Sequence, residues 1–592
     1  MRVKEDSQSV AVDAGIRGLL ARWVKRPQQA AQSASLTTRI FAARGLGEDL
    51  AAQTFLAPSM SHLHDPSLMP GLDRAAARLV DAIRKGEQIA IYGDYDVDGV
   101  TATSVLYHTI KCLCPQAIVT TYVPHRIDEG FGLNAEALRQ LADGGAKVIV
   151  TVDCGITASE PARELHRHSG GNVDLIITDH HNLPGVGEAL PDAYALVHPR
   201  LPGSAYPFGD LCGAAVAYKL AWRMGTLWSG TARVPDAMRT LLVELLALVS
   251  MGVVADVVPL IGENRVLASF GLGRIRNSPL PGLKELIAAS GLDGEKIAAE
   301  DVGFKLGPRL NASGRLGHAR EAVELLTTAT GARASEIAAE LDRQNDLRRA
   351  VEKKIVDTAI EMATQGGMTQ PSQRAIVLAC DDWHAGVVGI ACSRLVDKFH
   401  RPVILLGRNE GHFHGSGRSV HGFSLHAALQ ECSHLLDAFG GHDMAAGVKV
   451  RPENFSEFQK TFIDVANREI GEDQLLSRIE FDTDAAPGEL TPAAVMDLKR
   501  MEPFGRDNPR IQVRLPGVRI NGRAELMGKD LNHLSMRVGD GGRMMRVVGW
   551  RMGVLANQIP AGATIDVLIH PRINEWNGNR TVEGELIDLR VL

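Results

Sequence analysis

The sequence predicts an α/β protein: a doubly wound parallel-sheet domain, a long connector helix, a second α/β domain and a C-terminal β-barrel. Three observations predict it. Short β-branched runs alternate with helical stretches from about residue 74, a charged amphipathic stretch spans about 333–364, and beyond Arg468 short strand-like runs are separated by Gly, Asn and Pro. Parallel strands covered on both faces read as nearly continuous apolar runs, as the first set does.

Taken in order, residues 1–73 read as a helical segment broken by Pro58, Pro66 and Pro70. The first α/β domain is placed at 74–332, with helices over 74–85, 100–112, 134–142 and 158–167. Between them fall strands over 90–93, 117–123, 148–152 and 174–178, and helical segments continue through 211–275. In the connector, 333–366, Ile337, Leu341, Val351 and Ile355 share one stripe while charges occupy the rest. Gly366-Gly367 and Pro371 end it. The second α/β domain, 367–470, offers strand 375–379, helix 387–399 and strand 402–406. Residues 471–592 read as a small barrel.

A chain of 592 residues suggests three or four domains, and 45% hydrophobic with 23% charged residues excludes a disordered or collagen-like polymer. The net charge of −6 gives no global positive field, but it is uneven. Residues 499–592 carry 15 basic and 10 acidic side chains, leaving 49 and 60 for the rest. A basic tail on an acidic body is a first pointer to a polyanionic partner. Seven cysteines without a CxxC pair argue against a disulfide framework or a zinc knuckle. The first residues lack an apolar leader run, and the longest uncharged apolar run, 245–255, is too short to span a bilayer. The expected location is the cytoplasm.

Chemistry gathers where strands end. The first expected strand runs into Asp94-Tyr95-Asp96-Val97-Asp98-Gly99, the third into Asp153-Cys154-Gly155 and the fourth into Asp179-His180-His181. A further apolar segment ends at Asp256. Ligands of open α/β sheets bind outside the carboxyl ends of the strands, so several strands deliver carboxylate or imidazole to one crest. Each piece alone has a plain reading: a polar turn, or a helix cap after a strand. An EF-hand is excluded because its twelfth position, 105, is Val. Together, so many like charges repel unless cations sit among them. Oxygen-rich ligands with one or two histidines suit Mn²⁺ or Mg²⁺, and the number of ligands suits two ions sharing a carboxylate, an arrangement used in phosphoester hydrolysis.

YGDYDVDG (92–99), DCG (153–155), DHH (179–181) and VADVVPL (254–260) resemble the ordered motifs of the DHH phosphoesterase superfamily. WHAGVVGIACSRL (383–395), GSGRS (415–419) and GGHDMAAG (440–447) resemble its associated DHHA1 domain. With PRLNASGRL (308–316) and a barrel that resembles an OB fold, the chain is similar to the superfamily's single-strand-specific 5′→3′ DNA exonucleases, from about Leu56 onward. One departure is PFGRDNP (503–509), where Asp507 stands at a position that is usually Gly.

The resemblance implies roles. Asp96, Asp98, Asp153, His180 and Asp256 would hold two divalent cations, Mn²⁺ or Mg²⁺, with Asp153 as the bridge and Asp94 a further ligand or water-orienting group. His181 would stabilise the transition state or protonate the leaving oxygen, and Asp179 would orient a histidine. Arg126, Arg309, Ser416 and Arg418 match a pocket for the 5′-phosphate, with the backbone at Gly415 and Gly417 and the Gly440-Gly441-His442 turn as further contacts. For Arg315 both a phosphate contact and a structural ion pair stay open. The barrel would hold single-stranded DNA through Arg514, Arg519, Arg537, Arg543, Arg546, Arg572 and Arg580, with Trp550 and Trp576 for stacking or, plainly, for filling the barrel. The implied setting is recombination and repair at the bacterial nucleoid, with single-strand-binding protein and a RecQ-type helicase as partners. Two alternatives stand beside it: a DHH phosphodiesterase of short oligonucleotides or cyclic dinucleotides, and a non-catalytic DNA-binding scaffold.

Overall fold

In the computed structural model the described residues are 15–592, apart from 28, 29, 32, 48, 126–128, 130, 131, 186, 317, 318, 577 and 578. The first residues correct an expectation. In place of a separate helical segment over 1–73, the described chain opens with two strands, β1 (Ile16–Arg17) and β2 (Ala21–Lys25). β2 pairs in parallel with a strand more than 450 residues later, Ser477–Phe481, and Trp23 donates its indole N–H to Asp588 at 2.8 Å. The helices Leu36–Ala43 and Leu50–Leu56 follow, and Leu36 and Ile40 are buried in the barrel's core. The period-2 pattern of β2 is too short to declare itself, and its partner is distant, so no local signal distinguished it from helix.

Helix Leu72–Lys85 then leads into the parallel sheet: β3 (Ile89–Gly93), β4 (Val119–Tyr122), β5 (Val148–Val152), β6 (Asp174–Thr178) and β7 (Ala195–Val197). The order is β4-β3-β5-β6-β7, every pair parallel, with helices on both faces. β3, β5 and most of β6 are buried, which explains their unbroken apolar runs. β7, three residues long, was not legible beforehand. The helices Gly213–Ser229, Asp236–Ala255 and Gly262–Ile275 complete the main core. The 245–255 run is thus part of a buried core helix.

The connector is a single helix, Gly331–Gln365. Ala334, Ile337, Ala338 and Leu341 pack into the core of the first α/β domain, whereas Ile355, Ala359 and Ala363 pack into the second domain. That domain carries β8 (Ile376–Cys380), β9 (Val403–Asn409), β10 (His412–Arg418), β11 (Ala438–His442) and β12 (Ala445–Val450), ordered β11-β12-β10-β9-β8. β8 and β9 are parallel, joined by helix Ala385–Phe399; the other pairs are antiparallel.

The C-terminal module starts with β13 (Ser477–Phe481) and β14 (Thr483–Asp484) and continues with β15 (Val513–Ile520), β16 (Glu525–Met527), β17 (His533–Gly539), β18 (Met544–Gly549), β19 (Thr564–Trp576) and β20 (Asn579–Val591). β15 pairs with both β17 and β19, β17 with β18, β18 in parallel with β20, and β20 with β19. This closes a five-stranded barrel with the connectivity of an OB fold.

Candidate metal centre and phosphate-binding face

Strand order places the topological switch between β3 and β5, and the two densest acidic motifs leave the sheet on either side of it. Asp96 caps helix Val97–Leu113, accepting from the Gly99 N–H at 3.1 Å. Asp153 follows β5 in a left-handed conformation (φ 66°), held by its N–H to the Thr178 carbonyl at 3.0 Å. Aspartate is among the few side chains that visit this region readily. Asp256 comes not from a strand but from the carboxyl end of helix Asp236–Ala255, and Val257 after it is also left-handed (φ 56°).

These elements bring His180 Nε2 within 3.1 Å of Asp153 Oδ1, 3.5 Å of Asp256 Oδ2 and 3.8 Å of Asp98 Oδ2. Three overlapping sets, Asp94/Asp96/Asp153, Asp98/His180/Asp256 and Asp153/His180/His181, each have ligand atoms within 4.8 Å of one another. Asp153 Oδ1 and His180 Nε2 are buried yet make no hydrogen bond. Buried polar atoms without a partner are costly, and a cation at this point satisfies both. The donor set, carboxylates plus imidazole with no thiolate, fits Mn²⁺ or Mg²⁺, and Asp153 and His180 each belong to two of the three sets.

Electrostatics agree. Burial, followed by the charges of Asp98, Asp96, Asp94 and Asp256, lifts Asp153 well above the usual carboxylate range. Burial with Asp98 and Asp96 pushes Asp256 up to about 8, opposed by His181 and Arg506. Burial, then Asp98, raises Asp96. His180 is pulled down to about 4, first by burial, which keeps its imidazole neutral and able to ligate. His181 behaves oppositely. Burial alone would lower it, but its Nδ1 lies 2.8 Å from Asp179 Oδ1, and that bond and charge push it up to about 9. Asp179, despite burial, is held at about 2 by His181 and by the N–H groups of Ile156 and His181. Adjacent histidines thus differ by environment: one is suited to a cation, the other is itself a cation.

Several supports escaped the sequence reading. The first N–H groups of helix Gly213–Ser229 clamp Asp98, Gly213 at 2.5 Å to Oδ2 and Ala214 at 2.9 Å to Oδ1. A side-chain carbon at Gly213 would lie 2.4 Å from Asp153 Oδ1, and one at Gly252 2.4 Å from Asp98 Oδ1. Both glycines are therefore required by the carboxylates. Only their small size could have signalled this. Behind β7, buried His198 bonds through Nε2 to the His181 carbonyl at 2.8 Å, and its Nδ1 accepts from the Arg200 N–H at 3.0 Å. The second contact fixes the tautomer, so Nε2 donates.

The expected phosphate residues divide. On the second domain's sheet the register aligns Ser416 with Gly447 and Gly440, and Arg418 with Ala445 and His442. Ser416, Arg418, Gly440 and His442 therefore share one face. Gly417 and Gly441 lie in the row between them, Gly417 packed toward Leu425. Gly415 needs its missing side chain because Leu405's carbonyl occupies that space. Ser416 Oγ and Arg418 Nη2 approach Gly389 of helix Ala385–Phe399. Arg315 donates to the Gly386 carbonyl at 3.1 Å, joining the two α/β domains beside this face. Arg309 pairs with Asp342 of the connector at 2.9 and 2.8 Å. Arg126 lies outside the described residues.

In the barrel, Arg514 pairs with Asp484, Arg546 and Arg572 with Glu583, and Arg580 with Glu575. Arg519 donates to the Gly562 carbonyl, while Arg537 and Arg543 have no ion pair among the described residues. Trp550 does not fill the barrel: it is 43% exposed, with Arg572 over its ring. The Trp576 side chain lies outside the description. Asp507 is left-handed (φ 59°), which explains why glycine is usual there.

Three family models match: the DHH family N-terminal domain at 88–253, the DHHA1 domain at 372–468 and the RecJ OB domain at 481–588. The chain is 38% identical over 570 residues to the Bacillus subtilis single-stranded-DNA-specific exonuclease RecJ, covering 94% of this chain and 69% of that protein. It is 33% identical to the Escherichia coli protein of the same name, covering 93% and 94%. The crystal structure of Thermus thermophilus RecJ in complex with Mn²⁺ superposes with a TM-score of 0.78 at 30% identity, covering 96% of this chain and 79% of that one. The same protein with Mg²⁺ gives 0.73 at 29% identity, over 96% and 78% of the two chains. With the three domains in family order, and identity sustained along nearly the whole chain, the protein belongs to the RecJ family.

Proposed function

We propose that the chain is a single-stranded-DNA-specific 5′→3′ exonuclease that releases 5′-mononucleotides by two-metal-ion hydrolysis. The observation that carries this reading is the buried, unbonded pair Asp153 Oδ1 and His180 Nε2 amid further carboxylates. Bound divalent cations supply an activated water and neutralise charge on the phosphate. Asp96, Asp98, Asp153, His180 and Asp256 would hold the cations, with Asp153 as the shared ligand, and Asp94 would complete the set or orient water. Asp179 fixes His181 through Nδ1 and keeps it protonated at neutral pH, so that its Nε2–H donates to the phosphate and then to the leaving oxygen.

Direction comes from the other domain. Ser416, Arg418, Gly440 and His442, on one face, hold the terminal 5′-phosphate, and Arg315 lines the junction. A single strand passes between the two domains and lies on the barrel beside Trp550. Single-strand-binding protein and a RecQ-type helicase supply that substrate in repair and recombination. Seven free cysteines support a cytoplasmic setting.

The test is hydrolysis of 5′-labelled DNA with Mn²⁺. Labelled mononucleotide should appear first from a 5′-phosphorylated single strand, with duplex resistant. Internal cuts, or a strict preference for dinucleotides over long strands, would overturn the reading in favour of the short-oligonucleotide alternative.

A further inference from the structure

The loop 503–509 belongs to the C-terminal module but is built into the wall of the metal centre. Buried Arg265 of the catalytic domain donates to the carbonyls of Arg500, Met501, Glu502 and Pro503, and Asn508 Nδ2 closes the loop onto Met501 and Pro503. The Leu260 N–H donates to the Arg506 carbonyl at 2.9 Å, and Arg506 Nη1 donates to the carbonyl of Val257, the residue after Asp256, at 3.3 Å. These two bonds set Arg506 against the segment Val257–Leu260 that directly follows Asp256.

Its neighbours in the module are different. Arg510, Arg514 and Arg546 are each taken by a carboxylate of the module itself. Arg506 is exposed and has no carboxylate within ion-pair distance among the described residues. An exposed cation with one N–H donated to the Val257 carbonyl stands beside a centre that must receive a phosphodiester. The planar fork is suited to phosphate oxygens.

We infer that Arg506 is a substrate-positioning residue that binds a backbone phosphate of the single strand next to the scissile bond, so that the C-terminal module contributes directly to the catalytic rim. The inference rests on the nuclease reading above. Its contact is to backbone, not base, so it carries no sequence preference.

Binding of a 5′-phosphorylated single strand is measured on the full chain across a salt series, with Ca²⁺ replacing Mn²⁺ to keep the strand intact. Arg506→Ala should weaken binding about tenfold, as expected for loss of one charge-assisted contact. It should also flatten the slope of log affinity against log salt by about 0.7. Arg506→Lys, which keeps the charge, should retain the slope while losing part of the affinity. Mn²⁺ binding by calorimetry should be unchanged in both. An unchanged salt slope in Arg506→Ala overturns the inference, and so does weakened Mn²⁺ binding with normal strand affinity, which would make Arg506 a prop for Asp256. If the wild-type chain itself fails to cleave single strands, the nuclease reading fails. Normal wild-type cleavage with a normal Arg506→Ala slope sinks this inference alone.

Discussion

At the crest of the parallel sheet, carboxylates of Asp94, Asp96, Asp98, Asp153 and Asp256 converge around His180 and His181. In the barrel, four arginines are held by carboxylates: Arg514 by Asp484, Arg546 and Arg572 both by Glu583, and Arg580 by Glu575. At the crest, buried Asp153 Oδ1 and His180 Nε2 are left without a hydrogen bond where a cation belongs, whereas part of the basic region is balanced by the module's own carboxylates. Net charge therefore misleads in both directions. The basic surplus of residues 499–592 overstates what is available to a polyanion, and the acidic body contains the stronger ligand site. Function is read from the charges left unpaired.

The largest expected effect tests the crest. Asp153→Ala should lower hydrolysis by about 10²–10³-fold or more, while affinity for single-stranded DNA with Ca²⁺ does not fall. A second readout is thermal: Mn²⁺ at 100 times its Kd should stabilise the wild-type chain by about 2.7 kcal/mol, and the variant by clearly less. Normal activity in the variant would break the assignment of Asp153 as the shared ligand.

A smaller effect separates paired from unpaired arginines. Arg537 and Arg546 face each other on β17 and β18, but only Arg546 has an acidic partner. Arg537→Ala should flatten the salt dependence of strand binding by about 0.7, and Arg546→Ala should leave it nearly unchanged. The latter instead loses up to about 1 kcal/mol of stability, its pair being half-exposed on the arginine side. Equal slopes would dissolve the comparison.

The smallest effect is one of pH. His570 is half-buried where barrel and catalytic domain meet, with Nδ1 2.7 Å from the Ile511 carbonyl, and desolvation together with Arg510 lowers its pKa below the ordinary histidine value. The folded state then binds fewer protons than the unfolded one. That contribution to stability is complete above about pH 6.5, the unfolded value, and is lost as pH falls through the folded value. Thermal unfolding at pH 5 and pH 7 should differ less in His570→Gln than in the wild type.

How much of this was legible beforehand follows from range. β5 and β6 matched their expected bounds because parallel strands covered on both faces write themselves as unbroken apolar runs. Asp153 and His180 stood out because they follow such runs. Trp23 and β2 did not, since their partners are Asp588 and β13, far along the chain. The pairing of Arg309 with Asp342 was not legible either, because sequence spacing does not reveal which arginine a connector carboxylate will reach. The clamp on Asp98 is made by backbone N–H groups, which every residue carries, so it leaves almost no trace in side-chain identity.

The connector Gly331–Gln365 also acts as a gauge. Each end is fixed in a different hydrophobic core, so the spacing and the angular phase of the two α/β domains are set by residue count. One residue added between its anchored halves would advance the second domain by about 1.5 Å and swing it by about 100°. The face that carries Ser416 and Arg418 would then turn relative to the metal centre, although no residue of either site had changed. Across this stretch the number of residues is as strict a requirement as the identity of any ligand.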